Sequence, residues 1–237
     1  LHRRRHSFPT RRSSDLATRR GGAGSLSFNA TGTGGGLQIG QAVLQIRNAL
    51  VLSPGGIGPG NSDAAFRPAG LDQSGLPGAR ARYAYDRLMV TGLVPLPGEY
   101  GLVLRTTMQA ATATLLASEQ MPIAGADAVR GYQEFAAAGS QGALFSAELR
   151  TPRFSPTGIR GADDNAQLHG FVEAGRAWNP VASAAAPGAR STAAIGIGGQ
   201  IELGDWGSLR IDQGWQVLRA RSGPGGGFVH ASVDLRW

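Results

Sequence analysis

The chain has 237 residues, with 23 basic side chains against 16 acidic ones, a formal net charge of +7, 37 glycines and no cysteine. Without cysteine there is no disulfide scaffold, thiolate metal site, iron–sulfur cluster or cysteine nucleophile, while 41% apolar residues is enough for a core. Every basic residue is arginine, and an excess of this sign points to nucleic acid or a membrane surface unless its distribution says otherwise.

The distribution does say otherwise. Leu1–Leu16 carries five Arg against one Asp, so this stretch supplies +4 and leaves +3 for everything after it. Its second part, His6–Leu16 (HSFPTRRSSDL), looks like the in-frame translation of a common short-read sequencing adapter. No apolar segment of signal-peptide length follows the arginines. Residues 1–16 are therefore expected to be a disordered sequencing or assembly artefact, with the authentic start of the protein missing. No nucleic-acid partner is expected.

Beyond that point no apolar run approaches the ~20 residues of a membrane helix. Segments that alternate with period two follow instead, and alternation of that period is a strand signature. In chain order the expected strands are Ser25–Thr33, Arg80–Gly92, Tyr100–Ala111, Gly142–Arg150, Leu168–Arg176, Thr192–Leu203, Ser208–Leu218 and Phe228–Trp237, about eight in all. In the second of these neither face is clean, and in the seventh Gln213 interrupts the apolar face. The last is the cleanest: Val229, Ala231, Val233, Leu235 and Trp237 oppose His230, Ser232, Asp234 and Arg236.

The less apolar face carries ionisable residues on nearly every strand, which a wet lumen tolerates and a sandwich core does not. Strand lengths match the ~9–11 residues that cross a bilayer obliquely. Short connections (94–98, 204–207) alternate with long ones (34–79, 113–141), although 151–167 is long where a short turn is expected. The fold class is thus all-β, an antiparallel transmembrane β-barrel in an outer membrane. The pattern alone leaves a secreted β-sandwich, a β-solenoid or a soluble adhesin domain as alternatives.

Chemical motifs are few. The glycine runs Gly32–Gly36, Gly196–Gly199 and Gly223–Gly227 lack the following helix and Lys-Ser/Thr of a phosphate loop, so they are expected to be strand kinks or loop tips. His2, His6, His169 and His230 are scattered and form no metal-ligand cluster, and Asp163-Asp164-Asn165 is expected to be a solvated turn. His169 or His230 could join Asp and Ser in a triad, but no Gly-x-Ser-x-Gly elbow is present. No enzyme activity, cofactor or metal is expected, with an outer-membrane lipid hydrolase as the competing enzyme reading.

One ordered set of motifs is more specific. Val129-Arg130-Gly131-Tyr132 ends a long loop that Ser118-Glu119-Gln120 approaches. Gly139-Ser140-Gln141-Gly142 then leads into a strand ending Ala147-Glu148-Leu149-Arg150, and Phe171-Val172-Glu173-Ala174-Gly175 comes next. This order resembles the haemolysin secretion/activation family, the outer-membrane transporters of two-partner secretion within the polypeptide-transporting barrel superfamily. The resemblance covers residues from about 24 to 237.

It implies a sixteen-stranded barrel behind two periplasmic domains, of which residues 17–237 would be the C-terminal half, with long extracellular loops at about 34–79 and 113–141. It further implies that the loop folds into the lumen, where Arg130 pairs with Glu173, Gly131 permits the tight tip and Tyr132 packs beside it near Phe171. Arg105, Glu148, Arg150, Arg210, Asp212 and Arg236 would line the lumen. Val233, Leu235 and the terminal aromatic Trp237 resemble the signal read by the barrel-assembly machinery.

Two positions depart from the family pattern. Glu173 stands where the family has Asp, and Ser140 stands where it has the Asp of G-D-x-G, which leaves any contact from that site to Arg130 in question. The implied partners are a secreted exoprotein of haemolysin or adhesin type, outer-membrane lipid and the assembly machinery. A barrel-assembly factor of the same superfamily is the nearest alternative.

Overall fold

A computed structural model describes residues 28–58, 60–66, 78–157, 164–181, 188–204, 206–218 and 225–235, with side chains from residue 36 onward. The suspected artefact at 1–16, Arg236 and Trp237 lie outside the described residues.

The strands are β1 (Phe28–Ile39), β2 (Ala42–Pro54), β3 (Arg82–Pro95), β4 (Gly101–Ala111), β5 (Met121–Pro122), β6 (Ala138–Gly139), β7 (Gln141–Arg150), β8 (Asp164–Trp178), β9 (Ala189–Leu203), β10 (Gly207–Gln216) and β11 (Gly227–Leu235). Nine of them form one antiparallel sheet in the order β1-β2-β3-β4-β7-β8-β9-β10-β11, while β5 and β6 make a short separate ribbon. Each long strand pairs with its neighbour in sequence, the meander of a barrel wall. The sheet is open, with β1 and β11 at its two ends.

The alternation expected from sequence is present along β7 to β10. Gly142, Leu144, Ser146 and Glu148 are buried on one face of β7, while Ala143, Phe145 and Leu149 are exposed on the other. The buried face, called inner below, lies under the 112–140 segment. The outer face is apolar and uncovered: Leu149, Val172, Ile195, Ile197, Ile211, Trp215 and Val233 are between 44% and 65% exposed. A soluble domain rarely displays so broad an apolar surface, whereas a wall facing lipid must. The core proper is on the inner side. One cluster holds Val51, Phe66, Tyr83, Tyr85 and Leu115, and a second packs Met121, Ile123, Val129 and Tyr132 of the loop against Leu144, Ala177 and Ala194 of the wall.

Two expectations need correction. The segment 34–79 is not one long loop: β1 continues to Ile39, a tight turn follows with Gly40 at φ 60°, and β2 then pairs with β3 from Val43↔Leu93 to Pro54↔Arg82. The connection that remains runs from 55 to 81. Glycines 34–36 read as a loop because they carry no face pattern. Inside β2, Asn48 interrupts the outer face and Val43 and Val51 fall on the inner one, so period two was invisible there. The second correction concerns the long 151–167 connection. Thr151 and Phe154 continue beside β8, with Phe154 exchanging backbone hydrogen bonds with Ala166 (3.0 and 2.8 Å), so this segment lengthens a hairpin.

Candidate functional site

Inward side chains from the middle of β7, β8 and β10 surround the tip of the 112–140 segment. The β5–β6 ribbon carries the chain inward, and Ile123 N–H donates to Ala137 O at 2.9 Å above the ribbon. Gly131, at φ 101°, turns the chain at the tip in a backbone conformation that favours glycine. It lies against Gly214 of β10 so closely that a Cβ on Gly214 would be 2.5 Å from Gly131 N. Two glycines in contact let one backbone rest on another.

Arg130, 3% exposed, is thereby placed among three carboxylates and a ring. Its Nε and Nη2 donate to Glu173 Oε1 at 2.9 and 2.7 Å, and its backbone N–H donates to Glu173 Oε2 at 2.7 Å. Nη1 reaches Glu148 Oε2 at 3.0 Å and Asp212 Oδ1 at 3.1 Å. The guanidinium carbon sits 3.5 Å from the centre of the Phe171 ring, a cation–π contact made in a desolvated setting. Such a group needs this many partners, because a buried charge without them costs several kcal/mol.

The carboxylates have further partners. Arg150 Nη2 meets Glu148 Oε1 at 2.8 Å, Arg210 Nη2 meets Glu148 Oε2 at 3.0 Å, and Arg210 Nε meets Asp212 Oδ2 at 2.7 Å. His169 Nε2 lies 2.5 Å from Asp212 Oδ1 and 3.1 Å from Arg210 Nη2. Three guanidinium groups thus face three carboxylates around one buried point. Glycines make the room. A Cβ on Gly196 would strike the Phe171 ring, and one on Gly198 would strike Asp212 Oδ1 and His169 Nε2. The GIGG run is therefore a stretch of strand emptied for its neighbours.

Tyr132 holds the tip from the other side. Its hydroxyl accepts from Ala193 N–H at 3.0 Å and donates to the carbonyls of Ala193 and Leu218. Burial raises its pKa above the ordinary tyrosine value, keeping the hydroxyl protonated as the donor role requires. Gln216 Nε2 donates to Gly131 O at 2.8 Å, Thr192 Oγ1 to Ile123 O at 2.7 Å and Arg190 Nη1 to Ala136 O at 2.8 Å.

Ser140 lies elsewhere, fully buried at the base of the segment. Its N–H and Oγ bond Asn179 Oδ1 at 3.0 and 2.7 Å, its Oγ accepts from Leu115 N–H at 2.9 Å, and its carbonyl accepts from Gln109 Nε2 at 3.0 Å. None of these bonds reaches Arg130.

Arg130, Gly131, Tyr132, Phe171 and Glu173 are thus brought together, and Glu148, Asp212, Arg150 and Arg210 join them. Arg105, opposite Ser146 on β4, shares the inner face but stands outside ion-pair distance of any carboxylate among the described residues. Val233 and Leu235 project from the outer face of β11, 65% and 68% exposed. The sequence reading missed that Glu148 and Asp212 touch Arg130 and that His169 belongs to the same network. Their inward parity was visible, but the register that aligns them was not. No serine hydroxyl bonds His169 among the described residues, and no group of three metal-ligating side chains occurs among them.

A family model described as haemolysin secretion/activation protein ShlB/FhaC/HecB matches residues 63–199, more than half of the chain. No curated protein and no solved structure matches it.

Proposed function

The chain belongs to the haemolysin secretion/activation family of outer-membrane two-partner-secretion transporters, and we propose that its inner face lines the conduit by which a large secreted exoprotein of haemolysin or adhesin type leaves the cell. The 112–140 segment is the gate of that conduit, and Arg130 is its latch. In this reading the apolar outer face meets lipid, the connections at 55–81 and 112–140 lie on the extracellular side, and Arg105, Arg150 and Arg210 keep the conduit polar. Val233 and Leu235 on β11, with Trp237 following in the sequence, carry the signal that the barrel-assembly machinery reads.

The observation that carries the reading is the fourfold grip on Arg130 by Glu173, Glu148, Asp212 and Phe171. One side chain at a loop tip bonds three strands of the wall, so docking of the whole loop depends on it. Truncating one member of a buried charged network costs about 3–5 kcal/mol, enough to change a docked loop into a free one. In the complete transporter, Arg130→Ala should therefore cut secretion of the partner exoprotein while the amount of assembled barrel, read by heat-modifiable gel mobility, stays the same. Unchanged secretion would remove Arg130 from this role.

A further inference from the structure

At the loop end of the sheet, the outer face changes from apolar to cationic. On β2–β4 the residues Val51, Ser53, Tyr83, Tyr85 and Ala111 are buried inward, and the buried Ala79 and Ala81 continue that pattern ahead of β3. The intervening Leu52, Pro54, Arg80, Arg82 and Thr112 are exposed on the opposite side. Together with Ala84 and Val181 they border a depression of about 860 Å³ with two guanidinium groups at its edge and aliphatic side chains along its wall. Backbone hydrogen bonding from Arg80 N–H to Thr114 O at 3.2 Å fixes the edge in place.

Neither Arg80 nor Arg82 has a carboxylate within ion-pair distance among the described residues. Asp86, two outward positions further down β3, is engaged by Asn48 Nδ2 at 3.0 Å. A second depression of about 530 Å³ lies at the loop end of β8 and β9, bordered by Arg176, Trp178, Gly188 and Ala189. Arg176 is exposed and likewise without an ion pair among the described residues. Trp178 is fixed by its indole N–H donating to Gln141 Oε1 at 2.7 Å. Below Arg176 the face is Phe145, Val172, Ile195 and Ile197, with no charge, and below Arg80 and Arg82 it holds Leu50 and Leu52 with Asp86 already engaged by Asn48.

Arginines without an ion-pair partner among the described residues, at the loop end of an apolar face and in one case beside a tryptophan, occupy the depth where lipid headgroups begin. An exposed guanidinium there gains most from a bidentate phosphate. We propose that Arg80 with Arg82, and separately Arg176 beside Trp178, bind phosphate groups on the headgroup of a phosphorylated glycolipid of the outer leaflet, with its acyl chains lying along the apolar wall below. This rests on the reading that the outer face meets lipid with its loop end outward, and not on the gate. An annulus of lipid held at these points would fix the depth of β3 and β8, the strands that flank the β4–β7 pair from which the gating segment rises.

The test uses the full transporter in mild detergent, with retained lipid counted by native mass spectrometry. Three probes are compared: bis-phosphorylated lipid A, the same lipid with its phosphates removed, and inorganic phosphate. The wild type should retain the bis-phosphorylated lipid at least about tenfold better than the dephosphorylated one, the balance expected of two charge-assisted contacts. Arg80→Ala with Arg82→Ala should lose most of that preference, Arg176→Ala should lose part of it, and the corresponding Lys variants should keep a share. Gel mobility of the heated and unheated variants verifies that each barrel is assembled. Equal retention of the two lipids, equal binding by wild type and the alanine variants, or arginine-dependent binding of inorganic phosphate with no preference for the lipid would each overturn the proposal. Arg80 meets the 112–140 segment through its backbone N–H to Thr114 O, which the substitutions keep, and none of the variants touches the tip around Arg130, so export of the exoprotein reports on the gate independently.

Discussion

Arg130 and Tyr132 hold the loop tip by different physics, and the difference can be measured. Arg130 depends on charge, through contacts to Glu173, Glu148 and Asp212. Tyr132 depends on a neutral hydroxyl that satisfies the N–H of Ala193 and the carbonyl of Leu218. Replacing it with Phe removes the partner of both backbone groups in a partly buried place, a loss toward the lower end of about 1–3 kcal/mol. Hydrogen exchange across residues 121–139 should accelerate by on the order of tenfold or more in Tyr132→Phe. The pH dependence follows from the raised pKa of the hydroxyl. The docked loop favours the neutral form, so its stabilisation is complete below the free tyrosine value of about 10 and declines as pH rises beyond it. Beyond the base-catalysed rise common to all amides, exchange of the loop should therefore quicken further in alkali in the wild type, and Tyr132→Phe should lack that excess. Wild-type exchange that rises no faster than that of unprotected amides through this range would contradict the assigned hydroxyl role.

At the scale of elements, the loop seats because the wall has been cleared for it. Gly214→Ala would put a Cβ 2.5 Å from Gly131 N and 2.7 Å from the carbonyl carbon of Arg130, and overpacking of this kind costs about 1–3 kcal/mol. Export should fall toward the level of Arg130→Ala although no charge has changed. Gly199→Ala, whose nearest neighbour is a Leu168 methyl at 3.3 Å, should export normally. Export unaffected by Gly214→Ala would mean that the tip does not need this seat. The strands β4 and β7–β10 were legible because each has one face that is mostly apolar, and the family motifs marked the loop tip. β2 was not legible, since a strand with Asn48 on its outer face and Val43 and Val51 on its inner one has no clean period. Its placement can be checked directly because the chain has no cysteine. Single cysteines at Leu44 and Ile46 should react with a membrane-soluble maleimide, and those at Gln45 and Arg47 with a water-soluble one. Identical reactivity at all four would place β2 outside the wall.

For the whole molecule, the outer face contributes little internal cohesion and the inner face holds nearly all of the specific contacts. The fold class followed from period and strand length alone. The site did not, since the partners of Arg130 lie up to 82 residues away in sequence and meet it only once the four strands β7 to β10 have paired in register. Arg130 with Glu173 could be read from a resemblance; Glu148 and Asp212 required the sheet itself. The central claim is that export needs the 112–140 segment both to dock through Arg130 and to leave that position while the exoprotein passes, and a reversible tether tests the second requirement most directly. Ideal Cβ positions at Gly175 place one 2.9 Å from the Cβ of Ile123, so a small adjustment reaches the separation of about 3.8 Å usual for a disulfide. In the full transporter carrying Ile123→Cys and Gly175→Cys, export should stop when the pair is oxidised and return when reductant is added, with the Ile123→Cys single variant exporting under both conditions. Export that continues through the oxidised, cross-linked barrel would contradict the account.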